Sequence, residues 1–144
     1  FKKGKIIVQM PCPELCCLGL NRGNNDGADV PVVIENTRIR KEMQKAKSYK
    51  MLMAQVDYVM KQITEYNAYG FEIIGIIGAN RSPNCGVETT SDFNKEISGK
   101  GIFMSELSNR IKAENLNIPM LGIKDTDNVF EQVKSFIKSN LVKE

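Results

Sequence analysis

Two cysteines lie in short motifs with the composition of a reactive site: Cys12 in CPE at residues 12–14, and Cys85 in SPNCG at residues 82–86. The chain contains 4 cysteines and no histidine. The lack of histidine excludes Ser–His and Cys–His nucleophile pairs and most zinc and haem sites. Chemistry at these motifs must therefore depend on thiols, carboxylates, hydroxyls, amines, the backbone or a bound cofactor.

Each motif follows a segment with the pattern of a buried strand. Residues 5–10, KIIVQM, are rich in Ile and Val, and residues 71–78 are apolar on both faces, like a central strand of a parallel sheet. The carboxyl ends of parallel strands share one edge, where open α/β sheets bind ligands. The sequence therefore predicts that Cys12 and Cys85 meet at the rim of a ligand site.

The rest of the chain alternates between helical and strand patterns. Helices are predicted over three segments: about 36–68 with a break near 48–49, about 102–114, and a last one capped by Thr126 or Asp127. Residues 118–123 predict a third strand, and residues 78–100 a loop. Two helices show an apolar face that should be buried: Leu52, Val56, Val59, Met60 and Ile63 in the first, and Val129, Phe130, Val133, Phe136 and Ile137 in the last.

This alternation predicts a single α/β domain over residues 1–144, Rossmann-like and three-layered, with a mostly parallel sheet. The length suits one domain with a real core. The opening FKKGK has the lysines and the glycine of the last turn of a helix. We therefore expect an element upstream, so that this chain lacks the N-terminal strand of its domain.

Composition narrows the location and the partners. No apolar run approaches the roughly 20 residues of a membrane span, and no secretory signal is visible. We therefore expect a cytoplasmic protein with no membrane partner. The net charge of +3 permits RNA as a partner but does not argue for it. The oligomeric state is left open.

The residues alone leave three interpretations of the thiols open: inert packing, a metal or iron–sulfur site, or a redox thiol at Cys16 or Cys17. No CxxC pair is present, which disfavours zinc. An iron–sulfur cluster accepts thiolates from scattered loops. Prolines on both sides of Cys12 restrict the backbone near its sulfur, and Gly86 permits a close approach to the main chain.

Four motifs, CPE at 12–14, LGL at 18–20, SPNCG at 82–86 and GKG at 99–101, resemble in this order those of the thiouracil desulfidase family, and most closely its uncharacterised branch. The resemblance implies a 4Fe–4S cluster held by three cysteines. The open iron would take the sulfur of a thiolated base such as 2-thiouracil or 4-thiouridine, and water would replace that sulfur at the carbon. Free base, nucleoside and tRNA substrates remain open.

The resemblance assigns roles by position. Cys12 and Cys85 match two cluster ligands, and Ser82 matches a serine beside the substrate or the cluster. The family's first ligand motif is missing, so the third ligand is expected upstream of Phe1, or otherwise at Cys16 or Cys17. Asn84 replaces the second serine of the family's SPSCG.

Further residues around these motifs complete the candidate site. Glu14 is the candidate acid–base carboxylate, unless it only caps the following turn. Arg81 is the candidate contact to an anionic substrate group, and Asn84 and Gly86 are further substrate contacts. The alternative function is a nucleoside-binding or metabolite-binding α/β domain that has no cluster and no enzymatic activity.

Three weaker features of the sequence lead to further expectations. Gly99 and Gly101 precede a helix, where their N–H groups are positioned to bind an anion. Asp92 and Glu96 are expected at the surface. One basic helical stretch is expected to be a solvated face rather than an RNA surface: Arg38, Arg40, Lys41, Lys45, Lys47 and Lys50.

Overall fold

Helices and short strands together form the protein, which confirms the mixed α/β class. The computed structural model describes residues 4–125 and 128–141. Its helices are α1 Pro13–Leu18, α2 Val32–Met43, α3 Ala46–Ala68, α4 Ile102–Ala113 and α5 Val129–Asn140, with a 3₁₀ turn at Gly27–Asp29. Its strands are β1 Ile76–Ala79, β2 Thr89–Asp92, β3 Lys95–Ser98 and β4 Met120–Ile123.

The long helical pattern forms two helices, and the break lies at residues 44–45 rather than near 48–49. Met43 and Leu52 are both fully buried. In an uninterrupted helix they would lie about two and a half turns apart, on opposite faces. The turn between α2 and α3 therefore lets both side chains reach the same core. The predicted apolar face of α3 is confirmed as buried: Leu52, Val56, Val59, Met60 and Ile63.

The parallel pair β1–β4 is the part of the predicted sheet that forms. Its register joins Ile76 to Met120 and Ala79 to Ile123. The observed β1 covers residues 76–79 rather than 71–78, and β4 confirms the strand predicted at 118–123. The main core contains side chains of α2, α3, α4 and β1, including Phe103, Met104 and Leu107.

The strand predicted at residues 5–10 was wrong. The segment has no strand conformation, and Ile6, Ile7 and Val8 are 69%, 72% and 42% exposed. A strand requires a hydrogen-bonded neighbour, and within residues 4–125 and 128–141 the parallel sheet consists of β1 and β4 alone. An apolar run without a partner strand therefore stays outside the sheet.

The loop predicted at residues 78–100 contains an antiparallel hairpin, β2–β3. Phe93 and Asn94 connect its strands with positive φ angles of 52° and 58°. A two-residue connection of this kind matches the twist of a hairpin, but Asn-Gly and Asp-Gly are its usual sequences. The polar strands and the unusual Phe at the turn explain why the sequence pattern did not indicate a hairpin.

The apolar face predicted to be buried on α5 is only partly covered. No residue of α5 is fully buried, and Phe130 is 72% exposed. The helix packs on β4, and Phe136 lies so close to Gly75 that a Cβ there would overlap its ring. A two-stranded sheet is too narrow to cover this face. Asn128 caps α5 through a hydrogen bond from Glu131 N, while Thr126 and Asp127 lie outside the described residues.

None of the helices in the described ranges combines the length and the apolar character that crossing a membrane requires. The longest of them, α3, has 23 residues but carries charged side chains along its exposed face.

Candidate functional site

Cys12 caps helix α1 and thereby fixes the position of Glu14. Its Sγ accepts a hydrogen bond from Leu15 N at 3.5 Å, and the buried Pro13 occupies the first helical position. The carboxylate of Glu14 caps no turn: it accepts from Arg22 Nε at 3.0 Å and from Asn84 Nδ2 at 3.1 Å. The CPE motif thus connects its carboxylate to the SPNCG loop, 70 residues away in the chain.

Backbone hydrogen bonds define the SPNCG loop. Ser82 Oγ accepts from Asn84 N at 3.2 Å and from Cys85 N at 3.0 Å, which closes the turn. The carbonyl of Cys85 accepts from Ala79 N at 2.9 Å and so joins the loop to the end of β1. Ser82, a predicted catalytic residue, therefore has a clear structural role, and its side chain also forms a hydrogen bond with the Cys85 side chain.

The start of α4 holds the same loop from the other side. Ile102 N donates to Pro83 O at 2.9 Å, and Met104 N donates to Asn84 O at 3.0 Å. Gly99 N donates to Glu88 O, and Gly101 N donates to Gly86 O. These N–H groups are engaged within the chain, so the prediction that Gly99 and Gly101 bind an anion was wrong.

Asn84 and Gly86 were predicted to contact substrate, and both are buried in this structure. Asn84 is 0% exposed, and its Oδ1 has no hydrogen-bond partner among the described residues. Gly86 is packed so tightly that a Cβ would overlap Thr89 O. Asn84 therefore acts on the site through Glu14, and the close approach that Gly86 permits is to the chain's own backbone.

The structure brings Cys12 and Cys85 into one electrostatic environment. Burial is the largest cause that raises the pKa of the Cys85 thiol to about 12; the charges of Glu14 and Cys12 act in the same direction, and a hydrogen bond with Ser82 opposes them. Cys12 itself is exposed. The two motifs are thus joined through Glu14 and Asn84, although Cys12 does not follow a strand as predicted.

The other two cysteines follow Cys12 along α1, where Cys16 N donates to Cys12 O at 3.1 Å. Cys17 Sγ donates to Ser48 O at 3.5 Å and accepts from Gln55 Nε2 at 3.6 Å, so its side chain is turned toward α3. Burial raises the pKa of the Cys17 thiol, while Cys16 is exposed. In residues 4–125 and 128–141, no three Cys, Asp or Glu side chains are grouped closely enough to hold a metal ion.

Arg22 is a site residue that the sequence analysis missed. Its Nε donates to Glu14 Oε2 at 3.0 Å, and its Nη2 lies 3.7 Å from Cys12 Sγ in a weak hydrogen bond. The residue lies in a loop rich in glycine and asparagine, which the pattern marks only as irregular. The sequence feature that could have indicated Arg22 is its position close to the CPE motif.

A small open cavity lies beside these groups. It has a volume of about 240 Å³ and is lined by Glu14, Val32, Asn36, Asn80, Arg81, Ser82 and Pro83. Asn36 Nδ2 donates to Arg81 O at 3.2 Å, and Asn80 Oδ1 accepts from three backbone N–H groups of residues 87–89. The predicted Arg81 and Ser82 thus line one cavity with Glu14, and Asn36 and Asn80 join them.

The basic stretch is not a uniform solvated face. Arg40 pairs with Asp92 Oδ2 at 3.2 Å and contacts Thr90 Oγ1 at 3.2 Å, so it braces α2 against the hairpin. Arg38 pairs with Glu35. Asp92 and Glu96, expected at the surface, are both half-buried in ion pairs, and Glu96 binds Lys124 at 2.6 Å. These charges therefore stabilise the walls of the site.

Comparisons with models of protein families, with characterised proteins and with solved structures gave no match for this chain. The motif resemblance and the geometry are therefore the two independent grounds for a functional proposal.

Proposed function

We propose that the protein is an iron–sulfur-dependent desulfidase that removes sulfur from a thiolated nucleobase, nucleoside or related small thio compound. The observation that carries the proposal is the carboxylate of Glu14, which lines a polar cavity of about 240 Å³ with Arg81 and Ser82 and accepts a hydrogen bond from Asn84 of the cysteine loop. The CPE and SPNCG motifs resemble the desulfidase family in the same order. A cytoplasmic location, where reducing conditions keep thiols free, is part of the proposal.

The described residues supply only some of the cysteine ligands that such a cluster needs. Cys12 and Cys85 supply two thiols that share one environment. A third ligand is not grouped with them among the described residues, and Cys17 is turned toward α3. We propose that the third ligand lies upstream of Phe1, and the Cys16→Ser variant below tests Cys16 as the alternative. The high pKa of Cys85 is compatible with a ligand, because a bound metal ion deprotonates a thiol outright.

The finer fold is part of the same proposal: a Rossmann-like, three-layer domain whose parallel sheet is wider than β1–β4. The exposed apolar side chains Ile6, Ile7 and Val8 support it. The half-covered apolar face of α5 supports it as well. Both features are what an additional strand beside β1 would cover.

The size and the polarity of the cavity favour a small polar substrate. Its volume lies below the roughly 300 Å³ at which pockets for drug-sized ligands begin, which suits a single base or a nucleoside. Arg81 lies in the left-handed region with φ 71°, so its backbone directs the side chain out of the strand path. Its guanidinium is the candidate partner for an anionic group of the substrate.

Glu14 is the proposed proton acceptor. When bound, a three-cysteine cluster supplies an open iron that takes the sulfur of the substrate. Glu14 Oε1 and Oε2 are each held by one hydrogen bond, so the carboxylate has a fixed orientation beside the cavity. With the thiocarbonyl carbon of the substrate bound beside it, this carboxylate can take a proton from the water that attacks that carbon.

A test of this proposal is the release of sulfide from 2-thiouracil, 4-thiouridine and thiolated tRNA by anaerobically reconstituted protein. We expect release from at least one of them, and a loss of about 100-fold or more in kcat for Glu14→Gln. Cys16→Ser is the matched control and should retain activity. No release from any of the three by protein that contains iron would contradict the proposal.

The second candidate is a binding domain without a cluster. The observation that favours it is that the described residues group no three metal ligands, while Asn36, Asn80 and Arg81 line a polar cavity. Such a domain would bind a nucleoside in iron-free protein, and calorimetry would detect that binding. Arg81→Ala would weaken it if an anionic group is recognised.

A further inference from the structure

The guanidinium of Arg22 spans two functional groups at once. Nε donates to Glu14 Oε2 at 3.0 Å, and Nη2 donates to Cys12 Sγ at 3.7 Å. The side chain of Arg22 is 23% exposed and that of Glu14 is 14% exposed, so water screens this pair only in part. A single cation is therefore shared between the carboxylate and the thiol of the CPE motif.

The main chain around Arg22 holds this cation in place. Its Nη1 donates to Gly19 O at 3.0 Å and to Leu20 O at 2.9 Å. Arg22 has a φ of 56°, in the left-handed region that non-glycine residues rarely adopt. A turn with these bonds directs the guanidinium back across α1 rather than out to solvent.

A second set of hydrogen bonds fixes the turn that contains Arg22. Arg38 Nη2 donates to Arg22 O at 2.8 Å, and Arg38 is held in turn by Glu35 at 2.6 Å. Asn24 Nδ2 also donates to Glu35, at 3.1 Å. The position of Arg22 is therefore determined by α2, an element that belongs to the core.

We propose that Arg22 is a positioning residue that holds the Glu14 carboxylate beside Cys12 and presents a fixed positive charge to the Cys12 sulfur. Its role in desulfidation rests on the proposed function. Its geometry does not, because every contact above joins two groups of the chain itself. Lysine is a poor substitute, since one ammonium lacks the planar array of donors that spans both groups.

The proposal predicts an electrostatic effect at one thiol. In the protein as it stands, the charge of Arg22 offsets that of Glu14 near Cys12. Without Arg22, the negative charge of Glu14 acts on Cys12 uncompensated. An anionic reagent should then be repelled from Cys12, while a neutral reagent of similar size should not.

The test compares alkylation of Cys12 by iodoacetate and by iodoacetamide in iron-free protein at one pH and low ionic strength. Both reagents attack the same thiolate, so the ratio of the two rates cancels the fraction of thiolate present. We expect Arg22→Gln to lower the iodoacetate-to-iodoacetamide ratio at Cys12 by about threefold or more. Tandem mass spectrometry assigns each modification to its cysteine.

Three comparisons make the test decisive. The same ratio at the exposed Cys16 should change little in Arg22→Gln. Glu14→Gln should raise the ratio at Cys12, the opposite direction, and Arg22→Lys should lie between the native chain and Arg22→Gln. If Arg22→Gln does not fold, the Glu14→Gln and Arg22→Lys results decide the question.

An unchanged ratio at Cys12 in the folded variants would overturn the proposal. A change of equal size at Cys16 would overturn it as well, because the effect would then not be local. Neither result depends on iron or on activity. Failure of the desulfidase proposal and failure of the Arg22 proposal are therefore distinguishable.

Discussion

The two halves of the site are held in different ways. The cysteine loop, residues 82–86, is fixed by backbone hydrogen bonds to β1 and to the start of α4. The CPE arm, residues 5–14, begins in exposed apolar residues and is joined to the rest of the site by the side chains of Glu14 and Arg22. Substitutions in the loop should therefore change global stability, and substitutions in the arm should change the site.

The largest expected effect tests the rigidity of the cysteine loop. A Cβ at Gly86 would overlap Thr89 O and lie 2.9 Å from Ser82 O, both backbone atoms that cannot move aside. We expect Gly86→Ala to lower the free energy of unfolding by about 3 kcal/mol or more, measured by urea denaturation. Gly23→Ala is the matched control: it has a positive φ but open space, and should lower it by about 1 kcal/mol.

A loss of less than 1 kcal/mol for Gly86→Ala would show that the loop yields easily. The first half of the comparison would then be wrong, because the backbone bonds of the loop would not determine its position.

The next effect compares two isoleucines, one from each of two segments that the sequence predicts to be strands. Ile76 in β1 is buried, whereas Ile7 in the CPE arm is 72% exposed. We expect Ile76→Ala to lower the free energy of unfolding by about 2 to 4 kcal/mol and Ile7→Ala by less than about 0.5 kcal/mol. Equal losses would show that residues 5–10 are buried in a sheet, and would remove the contrast between arm and loop.

A smaller effect concerns the link between the two halves. The Glu14–Asn84 hydrogen bond joins them at 3.1 Å, and Asn84 is fully buried. A double-mutant cycle of Glu14→Ala and Asn84→Ser should give a coupling free energy of about 1 kcal/mol. Glu14→Ala with Thr64→Ala on α3 is the control pair and should be additive. Additivity of the first pair would mean that the two halves are energetically independent.

The smallest effect is a dependence on pH. Hydrogen bonding to Arg38 lowers the pKa of Glu35 below its ordinary value of 4.5. A carboxyl with a depressed folded-state pKa contributes stability that is present above the unfolded pKa and lost as pH falls through the folded value. We therefore expect the native chain to lose more stability than Glu35→Gln on acidification below pH 4.5. Parallel pH profiles would contradict this.

Local sequence patterns were sufficient to predict the elements that bury one continuous apolar face. The apolar spacing of α3 and the apolar run ending in β1 carry their own signal, so Cys85 could be placed after a strand. Residues 5–10 carry the same signal, but a strand also needs a neighbour, which local sequence cannot supply. The β2–β3 hairpin was missed because its strands are polar and Phe93 is an unusual turn residue.

The sequence could predict those site residues whose role depends on residue type and on a position just after a strand. Glu14, Arg81 and Ser82 line one cavity, whereas Cys12 does not follow the strand predicted before it. Asn84 and Gly86 are buried because α4 packs on the loop, a contact between distant segments. Arg22 could not be assigned, because its role depends on a left-handed turn held by α2 rather than on spacing.

The most direct test of the central claim is the content of iron and acid-labile sulfide per chain after anaerobic reconstitution of the complete gene product. Native protein and the variants Cys12→Ser, Cys85→Ser and Cys16→Ser should be measured together. The account predicts about four irons per chain, lost in Cys12→Ser and in Cys85→Ser and retained in Cys16→Ser. No iron in the native protein, or iron retained in both site variants, would contradict it.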